Sequence, residues 1–327
     1  MQRRDDDPAL VPLFDAVARA PDDDDPRQVL ADALLDRGDL RGEFIGLQLL
    51  FARGTATPAQ EARMAALEEA HWRDWLREVP GVGVTPTRVT PVNDFHRGFL
   101  RSCLLTPCGL GADSPAWRMV ERIDLTGPGE GGDARELAAP ALTRLGVLTG
   151  LDADSLRVVL AGPPKPRLHE LGVTFETDAG EQRQVLALSR FSTLRVLSLA
   201  PQTVRHRADW LTWLFEAPLL RQLERLTLQL ELPFDVGGMQ AQLVRHRLDR
   251  LTLELATAGV KLVLRGGSLK VVFDNVFWLG QRGPALRNLA AQFAPFPFPR
   301  FEVQVGGSPA TREQLQGLGD TFSSYAR

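Results

Sequence analysis

The sequence predicts an α/β chain: an N-terminal α-helical module and linker over residues 1–115, a repeating α/β solenoid over 116–258, and a C-terminal α/β cap over 259–327. Three observations carry this prediction. Apolar residues recur at helical intervals between Val29 and Phe51. A six-residue pattern with aliphatic residues at positions one, four and six then returns from Val120 onward. Beyond Gly259 that pattern gives way to two alternating stretches around a glycine turn, the signature of a hairpin.

The helical module opens on DDDDPRQVLADALLDRGDLRGEFIGLQLL, Asp22 to Leu50. Asp25 precedes a proline, as an N-cap precedes a first helical residue whose missing N–H costs nothing. Gln28 follows at capping-box spacing. Val29, Leu30, Ala33 and Leu34 mark a buried stripe, Gly38 stops the helix, and Asp39 caps the next. Phe44, Leu47, Gln48 and Phe51, with Ile45 and Leu49, give the second helix a broad apolar face. The acids therefore read as helix caps. They lack the alternating acids, central glycine and distal glutamate of a calcium loop.

This segment resembles the repeat-companion domain of large-genome, GC-rich bacteria, a short module placed ahead of repeats. The resemblance rests on Leu30, Ala31, Asp32, Leu35, Gly38, Asp39, Arg41, Gly42, Glu43, Phe44, Ile45, Leu47 and Gln48. It continues through HWRDWL, His71 to Leu76, and FHRGFLRSCLL, Phe95 to Leu105. It covers about the first third of the chain and departs at Ala33-Leu34, where the family carries a large aromatic residue. The family's biochemical role is not established, so the resemblance implies architecture and little mechanism.

Repeats should follow, and six segments fit L-x-x-L-x-L: VERIDL from Val120, LTRLGV from Leu142, LHELGV from Leu168, LRVLSL from Leu194, LERLTL from Leu223 and LDRLTL from Leu248. Their starts lie 22, 26, 26, 29 and 25 residues apart. That spacing fits leucine-rich-repeat-like turns, each a short strand and a returning helix. ARELAAPAL, EQRQVLALSRF, ADWLTWLFEA and MQAQLVRHR supply the helices, the first behind an Asp133-x-x-Glu136 capping box. The second repeat stays open, because LRVVLAG, Leu156 to Gly162, also reads as its strand, with Leu142 to Leu148 helical. The asparagine usual at the ninth position is replaced by Pro128, Gly150, Glu176, Gln202, Glu231 and Ala256, so no buried asparagine ladder ties the turns together. In the cap, VKLVLRGGSLKVVFD reads as a hairpin, followed by a helix near Pro284 to Phe293, a strand FEVQV and a last short helix.

Composition excludes several functions. Net charge is −3, so nothing global points to nucleic acid or an anionic membrane. No run approaches 18 apolar residues and the first residues lack a signal-peptide core, so a cytoplasmic protein is expected. Cys103 and Cys108 lack a second pair and read as buried thiols rather than a zinc site. The five histidines show no metal-ligand spacing, and no G-x-S-x-G elbow is present. Gly127 to Gly132 fits G-x-G-x-x-G, which keeps a nucleotide-dependent enzyme as the alternative. Glu130 in the turn and Asp133 at the helix start both oppose a pyrophosphate there.

Function then falls to the strand face, where the x positions line up in columns. The third column reads Arg122, Arg144, Glu170, Val196, Arg225 and Arg250, beside Glu121, Thr143, His169, Arg195, Glu224 and Asp249. Small residues fill the fifth: Asp124, Gly146, Gly172, Ser198, Thr227 and Thr252. The expectation is a non-enzymatic module, with no cofactor or metal, that recognises another protein through Arg122, Arg144, Glu170, Glu224, Arg225, Asp249 and Arg250. A lattice of mutually neutralising ion pairs is the alternative role for these charges.

Overall fold

The computed structural model describes residues 7–76, 94–105, 115–125, 134–175, 179–201, 212–229, 236–257, 259–266, 268–274 and 300–311. The fold is mixed α/β, with helices at the N-terminus and sheet after them. The chain divides into two compact units, Met1–Leu168 and His169–Arg327, a division that falls within the expected repeat segment.

The first unit begins with four helices, α1 (Val11–Arg19), α2 (Asp25–Leu35), α3 (Leu40–Ala52) and α4 (Pro58–Leu76). Strands β1 (Asp94–His96) and β2 (Phe99–Leu105) form an antiparallel hairpin. Strands β3 (Arg122–Leu125) and β4 (Val147–Leu151) then add in parallel, β2 to β3 to β4. Helix α5 (Ala153–Ala161) follows, so Leu156 to Gly162 is not the second repeat strand; Val147–Leu151 is.

The helical hairpin forms, with different capping from that expected. Asp39 is the N-cap of α3, its carboxylate accepting the Arg41 N–H at 3.0 Å. Asp25 is not a cap but the first helical residue of α2, and Asp23 accepts its N–H instead, at 3.0 Å. Gln28 does not close a capping box; its amide reaches forward to Asp32. The buried stripe of α2 is Arg27, Leu30, Ala31 and Leu34, while Val29 is 54% exposed. On α3 the buried residues are Arg41, Gly42, Phe44, Ile45, Gln48 and Leu49, while Phe51 is exposed. The two helices touch closely at Gly42, where a Cβ would lie 2.4 Å from the Ala31 carbonyl oxygen. Phe44, Trp75 and Phe95 form a ring cluster, Phe44 and Trp75 tilted with centroids 4.5 Å apart and Phe95 edge-on to both.

The second unit is built on β5 (Glu170–Phe175), β6 (Val196–Pro201), β7 (Arg225–Gln229) and β8 (Thr252–Thr257), paired in parallel and in chain order. Between them run α6 (Ala179–Ala187), α7 (Thr212–Glu216) and α8 (Val236–Arg245). Leu171, Val173, Leu197, Leu199, Leu226, Leu228, Leu253 and Leu255 point to one face and are essentially fully buried. The expected terminal hairpin is present as β9 (Val260–Arg265) and β10 (Ser268–Phe273), antiparallel to each other and joined to β8 through β9. The FEVQV strand is β11 (Arg300–Val305), parallel to β10, and the two-residue β12 (Ser308–Pro309) closes the edge. The helix expected near Pro284 to Phe293 and the final short helix lie outside the described residues. None of the described helices is long and apolar enough to cross a membrane.

Candidate functional site

Strand register decides which of the predicted residues meet. Arg122 on β3 lies beside Val147, not Arg144. On the second unit, Glu170, Val196 and Arg225 are neighbours as expected, but Thr252 takes the place assigned to Arg250. Asp249 and Arg250 sit in the exposed turn before β8. The expected quartet of Glu224, Arg225, Asp249 and Arg250 is therefore not assembled across two strands. Its place is taken by Glu254, which falls beside Thr227 in the column expected to hold only small residues. The Glu254 carboxylate gathers Arg225 at 3.6 Å, Lys261 at 3.3 Å and the Thr227 hydroxyl at 3.3 Å. Glu224 is exposed and lies 3.9 Å from Arg195. Besides Glu170, the rest of this face is uncharged, with Gly172 buried and Thr174, Val196, Ser198, Ala200, Thr227 and Thr252 half-buried.

Arg144 has a different position altogether. It stands in the turn before β4, with its side chain only 10% exposed. Its guanidinium donates to both oxygens of Asp22, at 3.0 and 3.3 Å, and to Glu121. Glu121 also accepts from Arg101 at 2.9 Å. The Asp22 and Glu121 carboxyls are held below their ordinary range, Asp22 mainly by its Arg144 hydrogen bond. At Glu121 the hydrogen bonds and charges of Arg144 and Arg101 together outweigh a larger, opposing desolvation.

These contacts give the acidic run its role. Asp22 holds Arg144, Asp24 holds Arg53 at 3.1 Å and Arg97 at 3.2 Å, and the Asp23 carbonyl accepts from Arg27 at 2.8 Å. Two of the four acids, Asp22 and Asp24, are counter-charges of an arginine cluster, while the Asp23 carboxylate accepts the Asp25 N–H. Pro21, Asp22, Arg27, His96, Arg97, Phe99, Arg101, Met119, Glu121 and Arg144 line a cavity of about 350 Å³ within the first unit. Desolvation, with the adjacent Arg101 and Arg97, lowers the pKa of His96, whose imidazole lines the cavity.

The hairpin turn supplies much of this wall. Arg97 and Gly98 both have left-handed backbones, with φ of +52° and +84°, as a two-residue type I′ turn requires. Arginine in that conformation is uncommon and costs conformational energy. Gln48 anchors the turn from α3, donating to the Phe95 carbonyl at 2.9 Å and accepting the Gly98 N–H. Behind the cavity the Arg41 guanidinium lies 5.4 Å from the Phe99 ring centroid and 5.8 Å from that of Phe14.

No family model, curated protein or solved structure matches the chain. The Gly127 to Gly132 loop, with Glu130 and Asp133, lies outside the described residues, as does Cys108. Cys103 is a free, fully buried thiol, and burial beside Asp124 pushes its pKa up, which suits packing rather than nucleophilic chemistry. Among the described residues no group of three or more acid, histidine or cysteine side chains is placed to hold a metal.

Proposed function

We propose that the chain is a non-enzymatic protein-interaction module: a repeat-companion-like helical domain followed by a leucine-rich-repeat-like solenoid and a cap. A protein partner would be recognised on the exposed face of the parallel strands, as by an adaptor, a scaffold or a sequestering subunit. The observation that carries this reading is the β5–β8 face. Its inward residues are apolar and buried, whereas most of its outward residues are short and uncharged, with Glu170 and the Arg225–Glu254–Lys261 group as its charges. A face with short side chains lets another backbone approach closely, and fixed charges at its side orient the partner.

Repetition of the local backbone pattern supports the solenoid reading. In the first unit the Glu121 carbonyl accepts the N–H groups of Gly146 and Val147. In the second, His169 does the same for Arg195 and Val196, and Arg195 for Glu224 and Arg225. A tight turn leads into four of the six segments, with their first residues Val120, Leu142, Leu168 and Leu194 donating three residues back. The sequence resemblance of the first third supports the companion-domain reading.

The test uses a photo-crosslinking residue at Ser198, in the middle of the face, and at Arg183, on the exposed side of α6, in the native host. A discrete protein adduct at Ser198 that is absent at Arg183 and weakened by R225E is the expected result. No adduct at Ser198, or the same adducts at both positions, would overturn the proposal.

A further inference from the structure

The arginine cavity of the first unit is not used by the strand-face reading, and its charges do not balance. Four guanidiniums line it, Arg27, Arg97, Arg101 and Arg144, against the two carboxylates Asp22 and Glu121. Asp24 adds a third acid, 3.2 Å from Arg97, but Arg53 shares it. Arg101 and Arg144 are matched by Glu121 and Asp22. Arg27 is not matched. It is 2% exposed, forms no salt bridge among the described residues, and donates one N–H to a backbone carbonyl. Its Nε–H and that of Arg97 are buried without a hydrogen-bond partner. Buried charges in folded proteins are paired, because an isolated one forfeits hydration and receives nothing in return. Arg27 has the Phe99 ring 5.7 Å from its guanidinium and feels the charges of Asp24 and Asp22, but burial and repulsion from Arg97 and Arg144 outweigh these and lower its pKa. A second cost points the same way, since Arg97 keeps its guanidinium in this wall from a strained left-handed backbone.

An anion in the cavity would give the unmatched guanidinium a counter-charge and offset the cost of holding Arg97 there. The positive side of the cavity comes from guanidiniums, which match phosphate oxygens in a bidentate fashion. Phe99, Met119 and Pro21 form its apolar side. A volume of about 350 Å³ is at the small end of ligand sites, enough for one anionic group with a short apolar body. We propose that this cavity is a binding site for a small phosphomonoester dianion, with Arg27 and Arg97 holding the phosphate and Phe99 and Met119 contacting its organic part.

The test titrates the full chain with phenyl phosphate, inorganic phosphate and phenylacetate by calorimetry, at matched ionic strength in chloride. Phenyl phosphate should bind saturably, about tenfold more tightly than inorganic phosphate, which lacks the apolar part, and than phenylacetate, which carries one charge. R27M and R97N should each weaken phenyl phosphate by tenfold or more. R97N keeps the test open if R27M fails to fold, because asparagine suits the left-handed turn position and should leave the melting temperature equal or higher. Absence of saturable binding, or binding that survives both substitutions, would overturn the site. Equal affinity for phenylacetate would overturn the assignment to a phosphate dianion.

Discussion

Gly98 sits where the β1–β2 turn meets α3, and replacing it with alanine tests whether that contact fixes the first unit. Two costs add. The backbone at φ +84° is left-handed, which for a residue with a Cβ costs about 1–2 kcal/mol. The new Cβ would also stand 2.1 Å from Cγ1 of Ile45, itself fully buried, and overpacking of that kind costs about 1–3 kcal/mol. G98A should therefore lose about 2–5 kcal/mol as the sum of these two costs. I45A alone should lose a similar ~2–5 kcal/mol through the cavity it leaves. In the double variant the 2.1 Å clash with Cγ1 is gone and the nearest atoms are Cβ and Cα of residue 45, at 3.0 and 3.2 Å, so most of the overpacking cost is relieved while the backbone cost remains. The pair should then be less destabilising than the sum by about 1–3 kcal/mol. Urea unfolding followed by tryptophan fluorescence measures this, since Trp72 and Trp75 are buried in the same unit. Additivity of the two losses to within about 0.5 kcal/mol would refute the reasoning, because residues that do not share a contact add in that way.

Two further outcomes follow from the helix starts and from the buried lysine. D39A should cost about 0.5–2 kcal/mol at any salt concentration, because its carboxylate makes a hydrogen bond to the Arg41 N–H. D25A should cost only the ~0.3–1 kcal/mol of a charge near a helix N-terminus, and that loss should fade in high salt. Chemical denaturation of both variants with and without added salt separates them, and an equal salt response would contradict the assignment. Lys165 is 3% exposed, donates to the Ala139 carbonyl at 3.1 Å, and burial lowers its pKa from 10.5 to about 8. Between those values the unfolded chain binds more protons than the folded one, so this residue makes stability rise with pH from about 8 upward. The Cys103 thiol, raised in the folded state, acts in the opposite sense above its ordinary value of 9.0. Wild type should therefore gain stability relative to K165M between about pH 7.5 and 9, and parallel pH profiles would remove the buried lysine charge from the account.

The local alphabet of the fold was legible in the sequence. Helical spacing and Asp39 placed the α2–α3 hairpin, alternating leucines placed the strands of the second unit, and the glycine turn placed β9 and β10. These features are written within a few residues of one another, at the range over which capping, turn geometry and face alternation act. Register was not legible. In LTLEL, Leu251, Leu253 and Leu255 alternate, so a shift of two residues leaves the same side chains inward and the pattern cannot choose between frames. The structure pairs Arg225 with Thr252, and Arg250 leaves the column for the turn. At β4 the sequence held a true ambiguity, settled when Val147–Leu151 paired with β3 and the following apolar run became α5.

The arginine cluster was invisible for a related reason. Periodicity assigns a buried stripe to apolar residues, so Arg27 and Arg41 were passed over in favour of Val29 and Phe51, which the structure leaves exposed. The signals that remained were two of the Arg-Gly dipeptides, Arg41-Gly42 and Arg97-Gly98, and the glutamine at Gln48, each within the resembling motifs. An arginine can be buried only where partners from elsewhere satisfy it, and those partners lie far off along the chain. Arg41 reaches Gly98, 57 residues away, and Arg144 reaches Asp22, 122 residues away. Whether a run of acids caps a helix or neutralises guanidiniums depends on which charges the fold brings within a few ångströms. Coulomb interactions fall with distance in space and are indifferent to distance in sequence.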